Sequence, residues 1–265
     1  MKYKMFVADF DGTLGKAPNY ISKNNLKAIK AYQEKGGNFV ICTGRMLKSI
    51  TVICKLNGLT GQVIAYQGGV IADVESGEVI FDGGLDYKMS KEIVDALSKE
   101  VETVLIYING VLYYNKRTPY SEIYEKLCTI TGREEPNLNG LLERYKTSTK
   151  IMELCDEENV EPISKKIQEK FGDKILVNSG AKCLIEVINP EHSKGKAVKR
   201  LAEHYGIKED EIITMGDSTN DITMIEVGYG IAVGDGNEEL KKHAKEVTVE
   251  FEKDPVAEIL KKYCL

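Results

Sequence analysis

The sequence has little of what structural metal sites and disulfide frameworks depend on. Its 265 residues include only three histidines, and these show no spacing typical of metal ligands. The six cysteines are scattered, no CxxC pair occurs, and several cysteines lie inside apolar runs such as FVICTG. A zinc site or a disulfide framework is therefore not expected. We predict reduced, buried thiols and a cytoplasmic protein.

Long apolar runs and an excess of basic residues are missing as well. No apolar stretch approaches the length that a bilayer span needs, and the N-terminal segment lacks the apolar region of a signal peptide. Lys and Arg together number 36, against 41 for Asp and Glu, which gives a net charge of −5. Because there is no basic stripe, neither nucleic acid nor an anionic membrane is an expected partner.

Strand and helix signals alternate at both ends of the chain. Short apolar runs are separated by amphipathic helical segments over residues 1–84 and again over 186–265. Strands that are separated by helices favour a parallel sheet with right-handed crossovers. We therefore predict an α/β fold, in which both chain ends build one doubly wound, mainly parallel sheet.

The middle of the chain, residues 85–185, has a different pattern. Helical segments are mixed here with neighbouring strand pairs, one of which is joined through an Asn-Gly turn. We predict no helix or strand in the polar stretch 132–148, and a solvated loop at 133–135. The last two strands, 174–178 and 183–188, are predicted to form a hairpin through residues 179–182. We interpret this block as an inserted α+β domain.

Polar clusters stand at the carboxyl ends of three predicted core strands. They are Asp9-Phe-Asp11-Gly-Thr-Leu, Thr43-Gly-Arg45 and Gly216-Asp217-Ser-Thr-Asn220-Asp221. Each cluster alone is weak evidence, because such residues often form turns or helix caps. Ligands of open α/β sheets bind at this edge, however. Since all three clusters converge there, we predict a single functional site.

Four residues of these clusters are carboxylates, namely Asp9, Asp11, Asp217 and Asp221. Close carboxylates repel one another unless a cation or a shared proton intervenes. With no histidine or thiolate ligand in the pattern, a hard cation with oxygen ligands is favoured. Mg²⁺ is the natural choice, and it commonly keeps a substrate phosphate among its ligands.

A lysine at the start of the predicted helix 194–205 could neutralise phosphate charge at the same site. Two lysines, Lys194 and Lys196, stand there in the segment HSKGKAV. Most lysines are solvated surface residues, and spacing alone does not choose between these two.

Taken in order, these motifs resemble the four motifs of the haloacid dehalogenase (HAD) superfamily. The matching segments are Asp9-Phe-Asp11-Gly-Thr13-Leu14, Thr43-Gly-Arg, Lys194-Gly and Gly216-Asp217-Ser-Thr-Asn220-Asp221. The inserted block resembles the cap of class IIB members, and the whole chain is similar to Cof-type phosphatases, many of which act on sugar phosphates. The resemblance implies a HAD-like Rossmannoid catalytic core at 1–84 and 186–265, and a specificity-determining cap at 85–185.

The resemblance also implies a role for each matched residue. Asp9 would be the nucleophile that forms an aspartyl-phosphate, and Asp11 would be the general acid and then the general base. Lys194 would orient Asp9 and offset phosphate charge. The other implied roles are phosphoryl binding by Thr43, Gly44 and Asn220, and Mg²⁺ binding by Asp9, the Asp11 carbonyl, Asp217 and, directly or through water, Asp221.

The leading prediction is therefore Mg²⁺-dependent hydrolysis of small phosphomonoesters, with sugar phosphates foremost. A phosphomutase on the same fold is one alternative, although no clear arginine cluster in the inserted block would hold a phosphorylated intermediate. A non-catalytic sensor of a phosphometabolite is another, but a sensor need not retain a nucleophile and its acid together. Gln67-Gly68 stands where many relatives carry Asn-Gly, which leaves the substrate contacts open.

Overall fold

The computed structural model describes residues 2–128, 130–181 and 183–265, and the chain divides into two compact units. Unit 1 joins Met1–Phe81 to His192–Leu265, and unit 2 is the intervening Asp82–Glu191. The predicted boundary at 185/186 falls inside the strand Leu184–Ile188, which pairs with two strands of unit 2. The inserted block therefore extends further towards the C-terminus than predicted.

The strands are, in chain order, β1 (Met5–Ala8), β2 (Gly15–Lys16), β3 (Tyr20–Ile21), β4 (Asn38–Cys42), β5 (Gln62–Ala65), β6 (Val70–Asp73), β7 (Val79–Asp82), β8 (Leu85–Asp86), β9 (Val104–Ile108), β10 (Val111–Tyr114), β11 (Arg133–Glu134), β12 (Thr147–Ser148), β13 (Lys150–Leu154), β14 (Leu176–Ala181), β15 (Leu184–Ile188), β16 (Ile212–Gly216), β17 (Tyr229–Ala232) and β18 (Glu246–Val247).

The α-helices are α1 (Lys23–Glu34), α2 (Leu47–Leu56), α3 (Tyr87–Leu97), α4 (Pro119–Cys128), α5 (Leu138–Tyr145), α6 (Glu157–Phe171), α7 (Lys194–His204), α8 (Ile222–Ile225), α9 (Glu238–His243) and α10 (Pro255–Tyr263). Serine residues begin two of the core helices. The side chain of Ser22 accepts the N–H of Asn25 at α1, and that of Ser193 accepts the N–H of Lys196 at α7. Over the described ranges, no helix has both the length and the apolarity that crossing a bilayer requires.

Unit 1 is built on an eight-stranded sheet in the order β18-β17-β16-β1-β4-β5-β6-β7. The strands from β18 to β5 pair in parallel, and β6 is antiparallel to β5. Successive residues of β1 point to opposite faces of the sheet. Val7 packs in one apolar cluster with Leu201 of α7, whereas Phe6 contacts Phe39 of β4 and Tyr32 of α1. Helices thus cover both faces, which confirms the predicted doubly wound α/β core.

Unit 2 is built on a six-stranded sheet in the order β11-β10-β9-β13-β15-β14. Its neighbours pair antiparallel, apart from the parallel pair β10 and β11. Residues of α3, α5 and α6 form one apolar cluster with sheet residues such as Ile106 and Ile151. This layer of helices on a mainly antiparallel sheet confirms the predicted α+β character.

Two predictions for unit 2 are wrong. The stretch 132–148 contains helix α5. The side chain of Asn137 caps its N-terminus by accepting the N–H of Gly140, and three leucines of the helix are buried. Residues 133–134 form strand β11 against β10 rather than a loop, although both side chains are exposed. The many polar residues of this stretch obscure a short amphipathic pattern. The predicted turn at 179–182 includes Lys182, which lies outside the described residues.

Glu153 is the least expected residue in the core of unit 2. It lies in β13 between Val104 of β9 and Ile185 of β15, and it is fully buried. Among the described residues, no N–H or O–H group donates a hydrogen bond to either carboxylate oxygen. Burial raises the pKa of Glu153 to about 7, an effect that the Cys155 thiol offsets only in part and that Glu100 reinforces. The folded protein therefore favours the protonated form of this side chain.

We predict that replacing Glu153 by glutamine changes how stability depends on pH. Because the pKa is raised in the folded state, the contribution of Glu153 to the free energy of unfolding falls as pH rises from about 4.5 to about 7. Between pH 5 and pH 8, the stability of Glu153→Gln relative to wild type should improve by roughly 2–3 kcal/mol. Denaturant unfolding at both pH values measures this, and a difference that does not change with pH would contradict the prediction.

Candidate active site

Asp9 follows β1 directly, and the neighbouring backbone fixes its position. Its N–H donates to the carbonyl of Met215 in β16 at 2.9 Å, and its own carbonyl accepts the N–H of Leu14 at 3.2 Å. The side chain is buried. Burial raises the pKa of Asp9 well above its usual range; Lys194 opposes this shift and Asp221 adds to it.

Lys194, the first residue of α7, lies at the centre of a buried network that we call the Lys194 network (Lys194, Asp9 and Asp221). Its side chain is only 1% exposed, and its Nζ lies 2.6 Å from Oδ1 of Asp9 and 2.6 Å from Oδ1 of Asp221. Burial alone would lower the pKa of Lys194, but Asp221 and Asp9 raise it above its ordinary value. Lys196 is exposed, so of the two candidate lysines it is Lys194 that meets the carboxylates.

The close packing of α7 against α8 explains why a glycine follows Lys194. A Cβ at position 195 would lie 2.0 Å from the carbonyl oxygen of Thr223 in α8. Gly195 also donates its N–H to the hydroxyl of Thr223 at 3.2 Å. The absence of a side chain therefore lets α7 lie directly against α8, and this close packing brings Lys194 next to Asp221.

Asp221 is fully buried and uses both carboxylate oxygens within the protein. Oδ1 faces Lys194, and Oδ2 accepts the N–H groups of Asp217 and Ser218, each at 3.1 Å. These contacts hold the loop that follows β16 in a tight turn. Asp221 therefore fixes both the lysine and the loop that carries Asp217.

Asp217 faces the loop that follows β1. Its Oδ1 accepts the hydroxyl of the buried Thr13 at 2.9 Å. Gly12 lies beside it with φ of +83°, and a Cβ at that position would be 2.6 Å from Oδ2 of Asp217. Burial, followed by the charge of Asp221, raises the pKa of Asp217 to about 6. One oxygen from each of Asp9, Asp217 and Asp221 lies within 4.8 Å of the others.

These three carboxylates fit a hard divalent cation. All the donor atoms are oxygens, which is the ligand type that Mg²⁺ prefers. The pKa values of Asp9 and Asp217 are raised partly because the carboxylates repel one another. A bound cation would remove that repulsion and favour the ionised forms. The cluster can therefore hold a metal ion.

Asp11 is bound by Arg45, a residue for which the sequence analysis predicted no role. Its carboxylate accepts two hydrogen bonds from Arg45, from Nε at 2.7 Å and from Nη2 at 2.6 Å. The hydroxyl of the buried Thr43 accepts the N–H of Arg45 at 3.1 Å. The sequence signal for Arg45 is its place in the loop that follows β4, at the same sheet edge as Asp11.

The remaining predicted residues differ in their surroundings. Gly44 lies against Gln67, since a Cβ at position 44 would be 2.6 Å from Nε2 of Gln67. Gln67 has φ of +59°, and its Oε1 is buried without a hydrogen-bond partner among the described residues. Asn220 is exposed, and its Oδ1 accepts the hydroxyl of Ser218 at 2.7 Å. The Asn220 side chain is thus engaged within its own loop rather than in the Lys194 network.

A sheet edge that gathers a buried lysine and three carboxylates at these spacings is typical of one class of hydrolase. The chain belongs to the haloacid dehalogenase-like hydrolase family, whose sequence model matches residues 6–260. The 5-amino-6-(5-phospho-D-ribitylamino)uracil phosphatase YitU of Bacillus subtilis (strain 168) is 27% identical over 269 residues, which cover 98% of this chain and 97% of YitU.

Solved structures agree with this family. TM0651 from Thermotoga maritima superimposes with a TM-score of 0.90 at 28% identity, covering 99% of this chain and 98% of that one. The fold also matches BT4131, described as a HAD subclass IIB sugar phosphatase, with a TM-score of 0.80 at 20% identity and 98% coverage of both chains. The predictions of a HAD-type phosphatase of the Cof type and of a class IIB cap fold are confirmed.

We predict that Lys194→Met destabilises the fold by about 3 kcal/mol, because it leaves two buried carboxylates without their cation. Lys199 on the same helix offers a matched control. It is half exposed and pairs with Glu209 at 2.9 Å, so Lys199→Met should change the free energy of unfolding by less than about 1 kcal/mol. Denaturant unfolding in the presence of a chelator compares the two variants. Equal stability of both would contradict the importance of the Lys194 network.

Proposed function

We propose that the protein is a cytoplasmic, Mg²⁺-dependent phosphatase of small phosphomonoesters that works through an aspartyl-phosphate on Asp9. The observation that carries this proposal is the distance of 2.6 Å between Nζ of the buried Lys194 and Oδ1 of Asp9. A buried ammonium at that distance favours the ionised form of Asp9 and fixes its orientation, both of which a nucleophilic carboxylate needs.

Two displacements at phosphorus make up the proposed reaction. An oxygen of Asp9 attacks the phosphorus atom, and the bond to the substrate oxygen breaks while Asp11 gives a proton to the departing alcohol. Asp11 then takes a proton from a water molecule, which attacks phosphorus and breaks the bond to Asp9. Inorganic phosphate leaves, and both aspartates return to their initial states.

The other residues of the site bind and neutralise charge. Asp9, Asp217 and the Asp11 carbonyl would hold Mg²⁺, and Asp221 would bind it directly or through water. The bound ion would supply positive charge next to the phosphoryl oxygens. Lys194 adds further positive charge. Thr43, Gly44 and Asn220 are proposed to contact the phosphoryl group, which in the case of Asn220 requires its side chain to leave Ser218. Positioning and charge neutralisation should supply most of the catalysis.

Sugar and sugar-alcohol phosphates are the proposed substrates. The name of YitU describes a phosphatase that acts on a phosphoribityl compound, which is a phosphate ester of a sugar-alcohol chain. The resemblance to Cof-type phosphatases favours the same class. Unit 2 is proposed to act as the cap that selects among such compounds, because the fold of the core does not itself define the substrate.

We predict that Asp9→Asn lowers phosphate release at least a thousandfold, because an amide cannot replace the nucleophilic carboxylate. The measurement is phosphate release from a panel of phosphorylated metabolites, with Mg²⁺ and with a chelator. Asp210→Asn is the matched control, since Asp210 is an exposed aspartate outside the site, and it should behave like wild type. Release that persists in Asp9→Asn, or that is unaffected by the chelator, would contradict the proposal. Tight binding of a metabolite without turnover would favour a sensor instead.

A further inference from the structure

Arg45 joins three separate segments of unit 1. Its guanidinium donates to both carboxylate oxygens of Asp11 at 2.6 and 2.7 Å, and its Nη1 donates to the carbonyl of Pro18 at 3.1 Å. The guanidinium carbon also lies 4.6 Å from the centre of the Phe10 ring. One face of the group and the donors at its edges thus have defined neighbours.

The backbone of Arg45 is held as firmly as its side chain. Its N–H donates to the hydroxyl of Thr43 at 3.1 Å, and its carbonyl accepts the N–H of Tyr66 at 3.0 Å. The first bond lies within the loop after β4, and the second links this loop to Tyr66, which directly follows β5. The backbone position from which the Arg45 side chain reaches Asp11 is therefore fixed.

Stability alone does not account for this arrangement. The Asp11 side chain is 50% exposed, and ion pairs that involve such exposed groups contribute at most about 1 kcal/mol to folding. A bidentate contact, however, fixes both the place and the plane of a carboxylate. A protonated carboxyl group keeps lone pairs that can still accept from the guanidinium. The contact can therefore orient Asp11 in the form that donates a proton, and orientation is the effect that this geometry supplies.

We propose that Arg45 is a positioning residue, which holds the Asp11 carboxyl group where it serves the oxygen of the departing alcohol. This inference rests on the proposed function, because it assigns Arg45 to the step in which Asp11 acts as the general acid. Arg45 does not need to touch the substrate for this role. Its loss should therefore impair the reactions that need an acid and spare those that do not.

The test compares two substrates that differ in the alcohol they release. An alkyl phosphate releases a poor leaving group that needs a proton, whereas p-nitrophenyl phosphate releases a stable phenolate that does not. The quantity kcat/KM reports on steps up to the first irreversible one, so it isolates the attack by Asp9 from the later hydrolysis. The probes are therefore glycerol phosphate and p-nitrophenyl phosphate, each with saturating Mg²⁺.

We predict that Arg45→Met lowers kcat/KM for glycerol phosphate at least about tenfold more than for p-nitrophenyl phosphate. Arg45→Lys keeps the charge without the bidentate contact, so it should show the same preference to a smaller degree. Combined with Asp11→Asn, Arg45→Met should cause little further loss, because the two residues act as one unit. Lys48→Met, which removes an exposed cation at the start of α2, should leave both substrates unaffected.

The possible outcomes separate this inference from the function on which it rests. If wild type hydrolyses neither substrate nor any other phosphomonoester, both the proposed function and the proposed role of Arg45 are wrong. If wild type is active but Arg45→Met loses equally on both substrates, or if its effect adds fully to that of Asp11→Asn, the inference alone is wrong. Thermal unfolding checks that Arg45→Met is folded; should it not be, the leaving-group preference of Arg45→Lys decides.

Discussion

The burial of Lys194 between Asp9 and Asp221 is the constraint on which the rest of the site depends. A lysine that is only 1% exposed would be strongly destabilising without anionic partners. Its two partners come from opposite ends of the chain, one following β1 and one following β16. The network therefore forms only when β1, β16 and α7 have assembled into one core. The inserted unit interrupts the sequence between these elements without interrupting the sheet they build.

The same electrostatic effect has different consequences in the two units. Burial raises the pKa of Asp9 and Asp217 in unit 1 and of Glu153 in unit 2. In unit 1 the carboxylates lie close to Lys194 and to one another, so they are poised to bind a cation. Glu153 lies between Val104 and Ile185 without a cation partner among the described residues, and its burial favours the protonated form. Buried acids whose pKa values shift in the same direction can thus differ in role, and their neighbours decide which role applies.

The sequence predicts the arrangement of the core well because its signals are local and regular. Apolar runs identify β1, β4 and β16, and the polar residues that follow each of them must meet at the same sheet edge. The choice of Lys194 over Lys196 needed the structure, since it depends on how α7 packs against α8. Arg45 was recognised only as part of a motif, because the contact with Asp11 spans two loops. Helix α5 was missed because its three leucines stand among polar residues over only eight positions.

The nucleophilic role of Asp9 is the central claim, and trapping the phosphorylated enzyme tests it most directly. The protein would be mixed with a hydrolysed substrate and Mg²⁺, quenched, and reduced with borohydride, which converts an aspartyl-phosphate into homoserine. The Asp11→Asn variant, in which hydrolysis of the phosphoenzyme should be slow, increases the amount that can be trapped. Peptide mass mapping is predicted to find homoserine at position 9. Phosphorylation of a different side chain, or turnover in which position 9 stays unmodified in both proteins, would contradict the account.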